Sequence, residues 1–377
     1  MSKIIGKRFK VLSQIGSGSI GDVFLARDLR KNEDICLKVV KAGKIDTERG
    51  FDREFEILSQ LKHPSLVPVY DYGVDPENGS FFSMEYFPGG DLGGIKDIST
   101  NRFISIANSI CRALDYIHSR GIIHGDLKPA NILIGSDGNC RLVDFGLSFL
   151  MDNKEISSSG SAAFISPEII RKKSATKRSD IYSLGLLFYE LIFGKPLYEG
   201  SAGEIISKKL GGEIALPEIS AEFGGNALKE IFEKMINVEP GKRYHSAGAV
   251  LDDINSIFNE KLSHEFPLEI HVEKAKFTGR ESEIKWLSDY LNADGNKKKL
   301  VSFVGGEPGV GKSRLIEEFR VKAQIAGFRF FQAHCREDDL KPLSPVISLL
   351  RHIFIELDPR LGTIFSVWAG SETIVSR

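Results

Sequence analysis

The hydrophobic period of this 377-residue chain changes near residue 90, and any fold it adopts must hold both regimes. Before that point, residues 9–15, 21–27 and 34–40 are short β-prone runs broken by Gly and charge, which reads as a meander of hairpins. Residues 51–61 interrupt them with apolar positions at 51, 55, 58 and 61, a helical stripe. Two further strand-like runs follow at 67–72 and 81–86. Beyond Pro88-Gly89-Gly90, apolar residues at 103, 106, 107, 110, 114 and 117 mark one face of an amphipathic helix. Residues 181–193, 227–237 and 247–258 predict more helices. A sheet-rich lobe followed by a helix-rich lobe is an α+β arrangement, with a cleft expected between the two.

A chain of this length is too long for one ordinary domain. Residues 259–276 lack a clean period and contain Pro267, which places a linker there. Beyond it, residues 281–291 suggest a helix, and 300–304 form an apolar strand running into a Gly-rich turn and a helix from Lys312. That is a β-loop-α unit, the start of a parallel sheet. A formal net charge of -1 gives no electrostatic pull toward nucleic acid or a membrane surface. Cys36, Cys111, Cys140 and Cys335 are widely spaced without a CxxC pair, which argues for a reducing, cytoplasmic setting over a disulfide or zinc framework. The N-terminus has no signal-peptide h-region, and the apolar run 184–193 is too short to span a membrane and carries Glu190.

The chemistry-bearing residues follow a fixed order. Gly16, Gly18 and Gly21 lie between two strand-like runs, with Ser17 and Ser19 among them. Glycine there lets backbone N–H groups approach phosphates where a Cβ would collide. Lys38 stands on the third strand. His124-Gly125-Asp126-Leu127-Lys128-Pro129-Ala130-Asn131 then links a helix to the strand 132–134, supplying a carboxylate, a lysine and an amide. Asp144-Phe145-Gly146 offers a second aspartate on a turn. Each segment alone is weak; their order and spacing together carry the reading.

Taken together, residues 9–260 resemble a protein kinase domain, with an N-lobe at 9–87 and a C-lobe at 88–260, and are most similar to bacterial members of the eukaryotic-like serine/threonine kinases. The resemblance implies a bilobal fold, ATP and Mg²⁺ as cofactors, and transfer of the γ-phosphate to protein Ser or Thr hydroxyls. It implies that Lys38 holds the α- and β-phosphates and pairs with Glu54, that Asp126 accepts the substrate proton, and that Lys128 neutralises the γ-phosphate. Asn131 and Asp144 would bind Mg²⁺. Adenine would lie between Ile15, Val23 and Cys36 on one side and Leu133 on the other. The backbone at Glu85 and Phe87 would hydrogen-bond it, and Met84 would guard the back of the pocket. Structural partners are implied too: Glu168 with Arg243, Asp180 with the catalytic-loop backbone, and Leu58, His124 and Phe145 as an apolar column. One departure stands out. Gly125 occupies the position where the family usually has arginine, the partner of a phosphorylated activation loop. Catalysis is therefore expected not to depend on phosphorylating Ser157, Ser158, Ser159 or Ser161.

A second phosphate motif, Gly306-x-x-Gly309-x-Gly311-Lys312-Ser313, sits between an apolar strand and a helix, the context a P-loop requires. Backbone N–H groups would wrap phosphates, Lys312 would reach the β- and γ-oxygens, and Ser313 would bind Mg²⁺. Phe277-Thr278-Gly279-Arg280-Glu281 resembles the opening of AAA-like and STAND-type ATPases, with Arg280 either near the nucleotide or on the surface. No convincing Walker B strand follows: residues 353–358 have a helical period. Residues 277–377 are thus expected to be the incomplete start of a P-loop ATPase domain in a longer signalling polypeptide. Two functions compete. The first is an active kinase acting on protein substrates. The alternative is a pseudokinase serving as a nucleotide-gated scaffold for downstream modules, although Lys38, Asp126 and Asp144 are all present.

Overall fold

A computed structural model describes residues 3–17, 21–40, 45–95, 97–135, 138–145, 159–212, 215–258, 279–289, 291, 304–307, 309–328, 330–332, 346–347, 349–350 and 353. The chain divides into two compact units. One comprises residues 1–60, 69–86 and 277–377; the other comprises 61–68 and 87–276.

In the first unit, β1 (Ile4–Ile5), β2 (Phe9–Ser17), β3 (Gly21–Asp28), β4 (Glu33–Val40), β5 (Val69–Asp75) and β6 (Gly79–Glu85) form a six-stranded antiparallel sheet in the order β1-β2-β3-β4-β6-β5. Side chains alternate between its faces. One face buries Ile5, Phe9, Ala26, Ile35, Leu37, Val39 and Phe81 in a single cluster. The other carries Cys36, Lys38, Phe82 and Met84, with Cys36 opposite Met84 and Lys38 opposite Phe82. Helix α1 (Ile45–Gln60) packs here, setting Phe51 and Phe55 against the Phe82 ring at 4.9 and 5.8 Å. Burying such rings is worth roughly 1.5–3 kcal/mol each, so this aromatic contact dominates the seating of α1. At the edge, the buried Asp28 accepts from Arg8 Nε and Nη2 at 2.9 and 2.6 Å, an ion pair that the sequence reading did not anticipate.

The second unit is mostly helical. Helix α2 (Thr100–Ser119) is capped by Ser99, whose side chain accepts from the Arg102 N–H, and it buries the full expected stripe from Phe103 to Ile117. The strands β7 (Ile132–Ile134) and β8 (Cys140–Leu142) form a small ladder. Helices α3 (Ser159–Phe164) and α4 (Pro167–Ile170) precede α5 (Lys177–Phe193), which is apolar on nearly every side and buried from Ser179 to Tyr189 with the exception of Ser183. Then come α6 (Ala202–Gly211), α7 (Gly225–Met235) and α8 (Ala247–Phe258).

Some bounds differ from the sequence reading. The run 67–72 is split: the strand begins at Val69, while the Val67 N–H bonds the Leu142 carbonyl at 3.1 Å in the helical unit. Pro68 supplies the break, since proline has no N–H for the ladder. Helix α1 starts six residues before the apolar stripe does, through a charged stretch that carries no hydrophobic period. Residues 300–303 and 354–358, expected as strand and helix, lie outside the described residues. The first unit also holds α9 (Glu281–Asp289) and α10 (Lys312–Ile325). Among the described residues, no helix is long and apolar enough to cross a membrane.

Candidate active site

In the sheet unit, Val23 pairs with both Gly16 and Lys38 across the ladder, so the Gly-rich turn, Val23 and Lys38 share one neighbourhood. Lys38 Nζ lies 2.7 Å from Glu54 Oε1, with side chains only 8% and 1% exposed. Long charged side chains are rarely buried this deeply unless paired. The same ammonium sits 5.8 Å from the Phe82 ring centroid. Because Phe51 and Phe55 flank Glu54 in sequence and seat α1 on the sheet, apolar packing fixes where this carboxylate points. Ser17 ends β2 opposite Asp22, Ile15 near that end is 47% exposed, and Glu85 ends β6 opposite Ile35. Gly18 and Ser19 lie outside the described residues.

In the helical unit the loop from His124 to Asn131 is held by one buried carboxylate. Asp180 accepts the His124 N–H at 2.9 Å and the Gly125 N–H at 2.8 Å, and lies 2.8 Å from His118 Nε2. His124 is fully buried, stacks on Phe145 at 4.9 Å and reaches the Val143 carbonyl through Nε2 at 3.1 Å. Burial pushes its pKa down against the pull of Asp180 and Asp126, so it is a neutral core histidine. Gly125 has φ +76°, a left-handed conformation that glycine adopts without penalty. Its place in the sequence therefore has a backbone reason as well as the loss of an arginine.

Three candidate residues meet directly. Lys128 Nζ donates to Asp126 Oδ2 at 2.7 Å, and Asn131 Nδ2 donates to the Asp126 carbonyl at 2.8 Å and to Oδ2 at 3.0 Å. Pro129 opens a short 3-10 turn that brings Asn131 back over Asp126. Asp144 joins them through the ladder: Ile132 pairs with Leu142, and the Asn131 carbonyl accepts the Val143 N–H at 3.0 Å, leaving Asp144 next along the chain. It takes φ +51°, a strained value for a residue other than glycine and a common mark of functional positions. With its amide nitrogen committed to Asp126, Asn131 has its Oδ1 left as the donor atom. Oxygen from an amide and a carboxylate is the donor type Mg²⁺ takes when it is held mainly through phosphates. Leu133 pairs with Arg141 on the ladder and bridges to Asp91, while Phe87 is buried beneath the Arg141 guanidinium at 4.9 Å.

The segment after the loop is anchored by buried charge. Arg243 donates to Glu168 Oε1 and Oε2 at 2.8 and 2.9 Å. Lys209 was missed by sequence reasoning. It is fully buried, donates to the carbonyls of Ala162, Ala163 and Ile165 at 2.7–2.8 Å, and lies over the Tyr182 and Tyr198 rings. A lysine is ordinarily solvated; the only available signal was Ile205, four residues earlier on the same helix face. Burial drives its pKa well below the ordinary lysine value. Ser157 and Ser158 lie outside the described residues, as do the side chains of Ser159 and Ser161.

The second phosphate motif also has a definite shape. Gly306, Gly309 and Gly311 take φ of +151°, +83° and +96°, so the loop bends where L side chains would be strained. It feeds Lys312 and Ser313 into the first turn of α10, whose N-terminus attracts anions. Lys312 Nζ donates to the loop's own carbonyls at Gly306 and Glu307, at 2.7 and 2.8 Å. A cavity of about 240 Å³ adjoins it, lined by Arg280, Trp286, Val304, Val310 and Lys312 among others. Arg280 thus faces the pocket, while its guanidinium pairs with Glu283 at 2.7 Å.

A β-sheet lobe carrying a buried Lys–Glu pair, followed along the chain by a helical lobe with an Asp-Lys-Asn loop, defines the protein-kinase class. The protein kinase domain model matches residues 9–254, and the chain belongs to that family; an AAA ATPase domain model matches residues 276–373. The chain is similar to the serine/threonine-protein kinase PrkC of Bacillus subtilis, 29% identical over 329 residues that cover 79% of this chain and 50% of that protein. It is similar to PknB of Mycobacterium tuberculosis, 31% identical with coverage of 68% and 44%. A probable serine/threonine-protein kinase of Corynebacterium efficiens is 30% identical, with coverage of 73% and 44%. The chain therefore spans half or less of the length of these relatives.

Proposed function

We propose that this chain transfers the γ-phosphate of Mg-ATP to serine or threonine hydroxyls of a protein substrate, as one part of a cytoplasmic signalling protein that also carries an ATPase module. The observation that carries the reading is the hydrogen-bonded set of Asp126, Lys128 and Asn131, held from behind by Asp180. Phosphoryl transfer needs positioning and charge neutralisation more than covalent chemistry. In this reading Asp126 receives the substrate hydroxyl proton and Lys128 offsets charge on the γ-phosphate. Lys38, oriented by Glu54, binds the α- and β-phosphates. Asn131 and Asp144 are the oxygen donors for Mg²⁺, which would shield the phosphate charge. Ile15, Val23 and Cys36 on one side and Leu133 on the other frame adenine, Met84 guards the back of the pocket, and the backbone at Glu85 and Phe87 hydrogen-bonds the base. The kinase domain is taken as 9–260, the linker as 261–276 and the ATPase segment as 277–377.

Incubation with γ-labelled ATP and a Ser/Thr-rich protein, followed by acid hydrolysis, should yield labelled phosphoserine or phosphothreonine. No label in either would sink the catalytic reading and favour a scaffold. Thermal shift assigns the nucleotide sites: a ligand at 100 times its Kd stabilises by about 2.7 kcal/mol. Lys38→Ala and Lys312→Ala should each remove one part of the Mg-ATP stabilisation, and the double variant should remove nearly all of it. A double variant that is still fully stabilised would show that nucleotide binds elsewhere.

Independence from loop phosphorylation belongs to the same reading. With Gly125 in place of arginine, a phosphate on the segment lacks that cation. Changing Ser157, Ser158, Ser159 and Ser161 together to alanine should leave the transfer rate essentially unaltered. A collapse of the rate would refute this.

A further inference from the structure

Helix α1 is gripped from two directions. Glu54 turns toward Lys38, whereas Glu56 and Gln60, four residues apart, share another face. That second face meets α10. Gln60 Nε2 donates to Glu318 Oε2 at 3.2 Å, and one helical turn away Lys322 Nζ lies 3.9 Å from Glu56 Oε1. Residues 56 and 60 therefore match 322 and 318 as two rungs between antiparallel helices. Between the rungs, Arg320 Nη1 donates to the Tyr70 carbonyl of β5 at 3.0 Å. Arg320 is itself held in position by Glu317 and Gln324. Glu318, Val321 and Gln324 are buried, so this is a packed face and not a grazing contact. Of the rungs, Gln60–Glu318 is the stronger, because the Lys322–Glu56 pair is about 40% exposed on both sides and close to its distance limit.

We propose that α10, the helix that begins at the P-loop, is a docking element for the kinase sheet lobe and braces α1 in the position where Glu54 pairs with Lys38. The catalytic consequence rests on the kinase reading above; the docking itself does not. A helix of this length carries a displacement at Lys312 about 20 Å along its axis, so events at the P-loop are mechanically linked to α1.

The test uses the whole 377-residue chain at pH 8. Gln60→Glu sets a second carboxylate against Glu318, and Arg320→Ala removes the bond to β5. Amide hydrogen exchange over residues 45–60 and 69–75 should speed up about tenfold in either variant, while residues 100–119 keep their protection. The phosphoryl-transfer rate should fall about fivefold or more. The exchanged pair Gln60→Glu with Glu318→Gln restores a donor opposite an acceptor but removes the carboxylate that Arg314 Nη2 meets at 2.6 Å, so both readouts should return part of the way toward wild type. Unchanged exchange in both single variants would overturn the proposal, as would an exchanged pair that fails to restore protection. Faster exchange with an unaltered transfer rate would equally overturn it, since the contact would then not be what holds Glu54 in place toward Lys38. A wild-type chain that transfers no phosphate would refute the kinase reading alone, because exchange still reports docking.

Discussion

Asp126→Asn is expected to lower phosphoryl transfer by about 10²–10⁴-fold while leaving Mg-ATP binding in place. The substitution keeps the size of the side chain and removes only its capacity to take a proton. Lys128 and Asn131 both bond Oδ2 of Asp126, so the loop keeps two of its partners if the amide oxygen takes that position. The side chain is about a quarter exposed, and its loss of charge strands no deeply buried ion. The fold should therefore survive, and the effect should fall on the rate. Transfer from γ-labelled ATP, measured beside thermal stabilisation by Mg-ATP, separates the two. A variant retaining more than about a tenth of the wild-type rate would deny Asp126 the role of base.

Arg243→Ala is expected to destabilise the helical unit by about 3–5 kcal/mol, because it leaves Glu168 as a buried charge without its cation. Arg243 has a side-chain exposure of 0%. Besides Glu168, it serves the carbonyls of Asn237, Arg178 and Val238 and stacks over the Tyr182 ring. Removing both partners should cost less than the sum of the single losses, since neither charge is then stranded. Denaturant unfolding of the full chain, followed by a probe in the helical unit, checks this. A loss below about 1 kcal/mol would show the pair to be peripheral.

The same pair predicts a pH dependence. Burial raises the pKa of Glu168, but hydrogen bonds from Arg243 and Ser179 outweigh it and leave the carboxyl below its ordinary value of 4.5. A carboxylate with a depressed folded-state pKa contributes stability that is present above the unfolded value and lost as pH falls through the folded one. The difference between wild type and Arg243→Ala should therefore be largest above pH 4.5 and shrink in acid.

Much of the fold was legible because period and burial coincide locally. The stripe from Phe103 to Ile117 is the buried face of α2, and Phe51 and Phe55 are the anchors of α1. Legibility failed where polar residues do structural work. The first turns of α1 and α5 carry charge and hydroxyl groups, and Thr176 and Ser179 close the start of α5 through a hydrogen bond that no hydrophobic count can register. Lys209 failed for the opposite reason. Its burial depends on three carbonyls delivered by residues more than forty positions away.

By itself, the sequence determined the candidate chemistry: which carboxylates, lysines and amides exist, and in what order the turns and strands present them. Local rules suffice for that, because a Gly-rich turn or a Pro-started loop is a property of a few adjacent residues. Tertiary structure alone decided which charges could be buried. Asp28 needs Arg8, and Lys209 needs the carbonyls of Ala162, Ala163 and Ile165. A buried ion is tolerable only beside its partner, and only packing brings such distant partners together.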